Sequence, residues 1–472
     1  MKSNDQKMLI EGQPSRARFW QILAFSGNDT ATNASLVLVS TFFVVMLTDN
    51  LLLSGLVAGL ILTFARLFDG VTDPLIGMWL DNTVTRWGKF RPFLLGGSIM
   101  INIGMLFIFG GFVRFSNPTL QYAWIIVWYA VYIIGYTAQS ACTKSAQVQL
   151  TSDTRQRSLL AFLTSIIDAF YWNGFLAVSV NYVAGFPGGL TNPTGYRHIV
   201  LLAIAVNILL TFFALLSLRE HDRPEFYSRQ RRPADRVRVG TLIDLISRNH
   251  ALQALIAAAA TNKLAWVLQG AAAVYFYVYT VQNLKTQATV SLLALPAMFV
   301  GNFVGMWIAR RTDRKTSFLA GTWAAILLGG LVIIVRPFDV ERLWLFLLLI
   351  SLVNAANGIT AMNIIPMIAD VADYDHWKNG RFVPGLVGTT FGLVDKLVSS
   401  ASGLLIGGLL TAIGYQTGME WSPVIYWAFL LVMLGVPVAG HLISVIAMRW
   451  YPINGLLYAK IQNDLDPQRV LR

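Results

Sequence analysis

Long apolar blocks recur twelve times along this chain of 472 residues, and each is close to the ~20 residues that an α-helix needs to cross a bilayer core. Of all residues, 55% are hydrophobic, against 36 basic and 24 acidic ones. A soluble chain of this composition has too few polar side chains to cover its surface. The pattern therefore excludes a soluble enzyme, a nucleic-acid-binding domain and a disulfide-built secreted module. It predicts an all-α membrane protein with twelve transmembrane helices.

The predicted spans are separated by polar loops, and they cover residues 19–48, 54–80, 92–113, 121–146, 159–184, 198–218, 251–280, 288–309, 318–335, 343–369, 384–413 and 421–448. An even number of spans puts both termini on one side of the membrane. The N-terminal tail, alternate loops and C-terminal tail hold 27 Lys and Arg residues, whereas the opposite loops hold 5. The positive-inside rule then predicts cytoplasmic termini and explains the net charge of +12 without nucleic acid. No removable signal peptide is predicted, because the first eighteen residues are polar and basic.

A hydrophilic segment and an internal repeat divide the chain in the middle. Residues 219–250 carry eight arginines and two prolines, which predicts a cytoplasmic linker between two six-helix bundles, 1–218 and 251–449, with a tail at 450–472. The second span ends in GMWL at Gly77, and the eighth ends in GMWI at Gly305. A short basic loop follows each, and the next spans begin with FLLG at Phe93 and FLAG at Phe318. Duplication of a six-helix unit predicts two bundles facing each other across a central cavity.

Three charged residues lie inside the second span, in the sequence ARLFDGVTDP. Asp69 and Asp73 are one helical turn apart, and Arg66 is seven residues before Asp73, so all three project from one face. Two such carboxylates can bind one hard cation or share one proton, and Thr72 adds a hydroxyl nearby. In the alternative interpretation, Arg66 and the aspartates only neutralise each other in an interhelical network.

Other polar residues fall in other spans: Asp29, Ser140, Lys144, Asp168, Lys263, and the neighbours Asp395 and Lys396. Intramembrane ionisable groups are functional candidates, since they are costly in lipid. In an alternative interpretation, Asp29 pairs with a neighbouring helix. In an alternative interpretation of Lys144, its side chain extends to the cytoplasmic interface. Asp395 and Lys396 point about 100° apart, so only one of them is expected to face a cavity.

The sequence contains no signature of an enzyme. It lacks HExxH, Walker and Gly-x-Ser-x-Gly motifs, and its single cysteine, Cys142, allows neither an intrachain disulfide nor a cysteine metal cluster. We therefore expect no catalysis and no cofactor. With no nucleotide-binding motif, the expected energy source is diffusion or an ion gradient.

Two motifs resemble a known family. The run ARLFDGVTDPLIGMWLDNTVTRWGKFRP begins at Ala65, and ADVADYDHWKNG begins at Ala369, with Lys396 further on. Together they are similar to the glycoside-pentoside-hexuronide:cation symporters, the melibiose permease-like family of the major facilitator superfamily. The resemblance implies the fold of that superfamily and a monomeric, multi-pass transporter of the bacterial inner (plasma) membrane. Such a protein couples uptake of a glycoside or related solute to Na⁺ or H⁺.

The resemblance also implies residue roles. Cation binding falls to Asp69 and Asp73, with Thr72 and Thr137 at neighbouring positions; the two aspartates would ligate Na⁺ if sodium is the coupling ion. Asp29 matches a sugar-hydroxyl acceptor, and Lys396 matches a cavity lysine near the cation site. Coupling and gating roles fall to Arg66, Arg91, Lys396, Asp370 and Asp373, of which the last two match a cytoplasmic acidic motif at the inner gate.

The sequence departs from the family pattern at four positions: Ser140 replaces an aspartate, Lys144 a tryptophan, Ser165 an arginine and Pro384 a glutamate. Ser140, Lys144 and Asp168 are the remaining candidates for substrate binding. Losing one carboxylate and gaining an ammonium makes the cavity more positive. This favours an anionic solute such as a hexuronide, or lets Lys144 stand in for the cation near Asp69 and Asp73.

The expected mechanism is alternating access, in which the cation neutralises Asp69 and Asp73 before the loaded protein changes its orientation. Three other functions stay open on the sequence. They are a uniporter or exchanger with the same fold, a transporter of a lipid or amphipathic solute, and a membrane sensor. A sensor needs a signalling domain, and the segment after Arg449 is short for one.

Overall fold

The computed structural model describes residues 16–109, 115–151, 153–226, 245–380 and 384–465. Within them, twelve helices are long and apolar enough to cross a membrane. In chain order they are α1 Phe19–Asn50, α2 Gly55–Asn82, α3 Arg91–Phe109, α4 Pro118–Leu150, α5 Thr154–Gly185, α6 Pro193–Leu218, α7 His250–Thr280, α8 Lys285–Arg311, α9 Arg314–Val335, α10 Leu343–Asn379, α11 Pro384–Ala412 and α12 Pro423–Met448. The predicted all-α fold class with twelve spans is confirmed. Most of the predicted linker, residues 227–244, lies outside the described ranges.

Several helices begin earlier than hydropathy predicts, because polar residues cap them. The side chains of Asn117, Asp153 and Asn192 accept hydrogen bonds from backbone N–H groups in the first turns of α4, α5 and α6. Asp313 does the same for α9. These caps satisfy backbone donors that the helix itself leaves free, so the polar first turn is helical although it is not apolar. At Asp153, the N–H of Arg155 and then the cation of Arg16 lower the carboxyl pKa below its usual range.

The tenth helix also ends later than predicted. It continues ten residues past the expected end at Ala369 and stops at Asn379, where Gly380 adopts a left-handed conformation with φ of 68°. The acidic motif, expected in a loop, is therefore part of a helix. A further helix, α13 Gly455–Leu465, lies in the segment that the sequence indicated only as a tail.

The first compact unit contains Met1–Leu52 and Leu67–Ala234. In it, α1 packs along α5 and α6, and α3 packs along α4 and α6. A buried polar network joins these helices: Asn207 donates to the carbonyl of Ala31 at 2.7 Å, and Gln139 donates to Thr211 at 2.7 Å. Each buried amide is thereby paired, which fixes the register of the helices around it.

The second compact unit contains Leu53–Arg66 and Asp235–Arg472. In it, α7 packs along α11 and α12, and α9 packs along α10 and α12. The neighbours of α7 and α9 thus correspond to those of α1 and α3 in the first unit. This correspondence is what duplication of a six-helix unit produces.

The beginning of α2 belongs to the second unit, where it meets α11 at four glycines, Gly55, Gly59, Gly403 and Gly407. The two backbones approach so closely that a Cβ atom added at Gly59 would lie 2.3 Å from the carbonyl oxygen of Gly403. A Cβ atom at Gly403 would lie 2.5 Å from the carbonyl oxygen of Gly59. Small residues allow this contact, because transmembrane helices attract each other mainly through close packing.

We expect Gly59→Ala to destabilise the protein by about 1–3 kcal/mol, since the new methyl group would overlap with the backbone of α11. Thermal unfolding of the purified protein measures the effect. Gly408→Ala is the matched control, because Gly408 follows Gly407 directly on α11 and a Cβ atom there meets nothing within 4 Å. Equal unfolding midpoints for the two variants would contradict the importance of the glycine contact.

Candidate functional site

The aspartate pair lies in the part of α2 that belongs to the first unit. Asp69 and Asp73 are both half-buried and one turn apart. From α4, the hydroxyl of Thr137 donates to Oδ1 of Asp69 at 3.2 Å. The hydroxyl of Thr72 donates to the backbone carbonyl of Asp69 at 3.0 Å and lies 3.4 Å from that of Thr137. The structure therefore brings Asp69, Thr72 and Thr137 into contact, with Asp73 one turn further along the same helix.

All the polar groups of this cluster are oxygens. Thr72 and Thr137 are buried, so their hydroxyls have fixed surroundings beside the carboxylates. Carboxylate, hydroxyl and carbonyl oxygens are the ligands that hard cations prefer, and two neighbouring carboxylates can instead share a proton. Among the described residues no group of three His, Cys, Asp or Glu side chains is placed to hold a metal ion. The oxygen atoms of the cluster suit a hard cation or a shared proton.

Arg66 and Lys396 belong to the second unit, whereas the aspartate pair belongs to the first. Both side chains are half-buried. In the part of the chain that the structure describes, Nε of Arg66 is buried without a hydrogen-bond partner. Their predicted roles in coupling remain predictions.

A second polar cluster joins α1, α4 and α5 around Asp168. The amide of Asn33 donates to both carboxylate oxygens of Asp168, at 3.1 and 3.2 Å, and Thr30 donates to Oδ1 at 3.4 Å. The hydroxyl of Tyr136 donates to Oδ1 of Asn33 at 3.5 Å. Asp29 is half-buried one turn before Asn33 on α1. The sequence indicated Asp168 but missed Tyr136 as a member, because helix spacing does not show which faces of α1, α4 and α5 meet.

Of the two predicted substrate residues on α4, the structure describes the side chain of Ser140 but not that of Lys144. Ser140 lies one turn after Thr137 and is half-buried; within the described ranges it makes no hydrogen bond through its side chain. The backbone of Lys144 is helical, and its side chain is outside the described residues. Whether Lys144 contributes to substrate binding therefore remains a prediction.

The acidic motif at the end of α10 makes its contacts inside the second unit. Asp370 is buried and forms an ion pair with Arg314 at the beginning of α9. Asp373 accepts a hydrogen bond at 2.9 Å from Gln462 of the tail helix α13. Trp377, in turn, donates to Asp464 of that helix at 2.7 Å. The acidic motif thus holds α13 against α10, a contact that the sequence did not indicate.

Arg91 belongs to a cluster centred on a residue that the sequence analysis missed, Asp222. The carboxylate of Asp222 is fully buried and accepts from the backbone N–H groups of Lys89, Phe90 and Arg91 at 2.7, 2.9 and 2.9 Å. The guanidinium of Arg91 donates to the Asp222 carbonyl at 3.0 Å. Asp222 thereby satisfies the free donors at the beginning of α3. Asp222 is one of three acidic residues in the arginine-containing segment 219–226 after α6, with Glu220 and Glu225, so its place in the sequence did not distinguish it.

Comparison with known proteins agrees with this architecture. Residues 25–455 match the model of a family described as MFS/sugar transport protein. The chain is 25% identical over 449 residues to an isoprimeverose transporter of Lactiplantibacillus pentosus, covering 94% of this chain and 90% of that protein. It is 26% identical to a putative glycoside/cation symporter of Escherichia coli (strain K12), covering 83% and 81%.

Solved structures with the same fold are also membrane transporters. A D-xylose-proton symporter superimposes with a TM-score of 0.64 at 12% identity, covering 92% of this chain and 97% of that one. A bacterial homologue of the lysosomal transporter Spinster gives a TM-score of 0.61 at 15% identity, covering 94% and 98%. At these identities the likeness shows the fold alone. Because the family model spans most of the chain, this protein belongs to the MFS/sugar transport family of membrane transporters and, within it, to the glycoside-pentoside-hexuronide:cation symporters.

Proposed function

We propose that this protein is a secondary active transporter that imports a sugar, glycoside or sugar acid together with Na⁺ or H⁺. The proposal rests on the oxygen cluster of Asp69, Thr72, Thr137 and Asp73. This cluster lies on α2 and α4, which are both long enough to cross a membrane. An ionisable pair in such a place costs free energy unless it has a function or partners. The relatives named for isoprimeverose and for glycoside/cation symport support the same solute class and the same coupling.

The mechanism follows from the charges of the pair. Two carboxylates one turn apart repel each other, and a bound cation or shared proton removes that repulsion. The neutralised pair costs less to enclose away from water, so cation loading favours the change between outward- and inward-facing states. Cation and solute then raise each other's affinity, because coupling between two sites is reciprocal. We assign Arg66, Arg91, Lys396, Asp370 and Asp373 to coupling and gating.

The solute station we propose is the Asp168 cluster with Asp29, Ser140 and Lys144. The carboxylate of Asp168 is held by Asn33 and Thr30, so its position is defined before a solute arrives. Carboxylate oxygens accept hydrogen bonds from sugar hydroxyls, and the hydroxyl of Tyr136 extends the same polar surface. We place this station in the first of two six-helix bundles, 1–218 and 251–449, in a plasma-membrane protein with cytoplasmic termini.

Uptake into proteoliposomes under separate Na⁺ and proton gradients tests the proposal. We expect accumulation of at least one glycoside under one of the gradients and not under the other. A panel that contains a uronide and its neutral parent sugar tests the expectation of an anionic solute. Equilibration that responds to neither gradient would instead indicate a uniporter or exchanger, and a lack of any solute flux would contradict transport.

For the solute station, we expect Asp168→Asn to raise KM for the transported solute by about tenfold or more, because it removes a charged hydrogen-bond acceptor. Initial uptake rates over a range of solute concentrations measure KM. Ser165→Ala is the control, since Ser165 is exposed on α5 and, among the residues that the structure describes, its hydroxyl bonds only to the Ala161 carbonyl of its own helix. Equal KM values for both variants would remove Asp168 from the station.

A further inference from the structure

A basic cavity of about 570 Å³ lies in the first unit, at the end of α6 and beside the loop between α2 and α3. Four arginines line it: Arg86, Arg91, Arg219 and Arg223. The acidic residues in the lining are Glu220 and Glu225, so the basic groups exceed the acidic ones by two. This cavity shares no lining residue with the aspartate pair or with the Asp168 cluster. Its charge therefore needs a separate explanation.

Among the described residues, the four arginines of this cavity form a single ion pair with an acid, that of Arg91 with Asp222 at 3.8 Å. Asp222 contacts Arg91 of the lining, and its carboxylate also accepts hydrogen bonds from three backbone N–H groups. Glu220 is engaged by the amide of Gln21 at 3.3 Å. Nε of Arg91 is 3.8 Å from Asp222 and, among the described residues, has no hydrogen-bond partner. The basic excess of the lining, four arginines against Glu220 and Glu225, is what an outside anion would meet.

The other three arginines are available from solvent. Arg86, Arg219 and Arg223 are exposed, and within the described ranges none of them forms an ion pair. Like charges at this density repel one another in the absence of a ligand. An anion that contacts several of them at once would relieve that repulsion.

The cavity opens where the apolar surface of α6 ends. Phe212, Phe213 and Leu216 are 54%, 43% and 37% exposed, and Arg219 lies three residues after Leu216. Trp79 and Trp87, from the end of α2 and its loop, are 61% and 51% exposed. Exposed tryptophans beside arginines are typical of the level of lipid headgroups. The cavity thus lies at a height where lipid phosphates and soluble anions both reach it.

We propose that this cavity is a binding site for a phosphate group, carried either by an anionic lipid headgroup or by a soluble phosphate. Guanidinium groups bind phosphate oxygens through paired, charge-assisted hydrogen bonds, and four of them surround a space large enough for a headgroup. Basic cavities at the cytoplasmic ends of transmembrane helices bind anionic lipids in this way. The ligand would tie the beginning of α3 to the end of α6. The proposal shares Arg91 with the residues assigned to gating, but it uses none of the residues assigned to the solute or to the coupling ion.

The test compares ligand-induced stabilisation of the full chain in two arms. One arm uses phosphatidylcholine nanodiscs with and without phosphatidylglycerol, and the other uses inorganic phosphate added to the detergent-solubilised protein. The thermal unfolding midpoint reports binding in both arms, and native mass spectrometry reports retained lipid. We expect Arg219→Gln combined with Arg223→Gln to weaken binding about thirtyfold, given the usual contribution of each basic residue near an anionic surface.

Arg310→Gln combined with Arg311→Gln is the matched control, because it removes the same charge from the last turn of α8, outside the cavity. Glu220→Gln removes a negative charge from the lining and should tighten anion binding about fivefold. This variant tests the proposal if the double arginine variant does not fold. Stabilisation by phosphatidylglycerol alone identifies a lipid site, and stabilisation by inorganic phosphate as well identifies a phosphate site. Wild-type protein that responds to neither, or equal losses in the double variant and its control, would overturn the proposal.

Discussion

Asp73→Asn should abolish gradient-driven accumulation, so that the ratio of internal to external solute falls to about one. The amide carries no charge, and the variant therefore gains nothing from the cation that neutralises the wild-type pair. Asp69 still has the hydroxyl of Thr137 as a partner, which leaves the local helix contact between α2 and α4 in place. Uptake into proteoliposomes under the gradient that drives the wild-type protein measures the ratio.

Solute counterflow by the Asp73→Asn variant identifies which ion the pair carries. If the ion is a proton, counterflow persists, because the amide resembles the protonated acid. If the ion is Na⁺, counterflow falls together with accumulation, since a ligand has been lost. Asp339→Asn is the control, because Asp339 is exposed in the loop before α10. Undiminished accumulation by Asp73→Asn would show that the aspartate pair does not couple transport.

Asp222→Ala should cause the largest loss of stability among single substitutions outside the aspartate pair. It would leave the backbone N–H groups of Lys89, Phe90 and Arg91 without their acceptor, and each unpaired buried donor costs about 1–3 kcal/mol. We therefore expect a decrease of several kcal/mol in the free energy of unfolding. The measurement is the unfolding midpoint of the purified protein together with its yield in membranes.

Glu220→Gln is the control for this substitution, because Glu220 is an exposed neighbour whose amide replacement still accepts the hydrogen bond from Gln21. We expect its unfolding midpoint to stay close to that of the wild type. If Asp222→Ala were equally stable, the carboxylate would not be the element that holds the beginning of α3. The same result would show that Asp222 does not fix the position of Arg91 in the basic cavity.

The twelve spans were predictable because a bilayer imposes one length and one polarity on every crossing helix. Their ends were less predictable, since they depend on single polar residues such as Asn117 and Asp153 and not on average hydropathy. Asp69 and Asp73 were also predictable, because the helical repeat alone puts residues four apart on one face. Asp222 was not, because its partners Lys89 and Arg91 are more than 130 residues away in sequence.

By itself, the sequence determined that this chain is a membrane protein of two similar halves and that two carboxylates share one face of its second helix. These properties arise from composition and from the helical repeat, which act within about twenty residues. The tertiary structure alone decided that Thr137 donates to Asp69, that Asn33 holds Asp168, and that four arginines line one cavity around α3 and α6. Such contacts join helices that are distant in sequence, and only the packing of their faces determines which side chains meet.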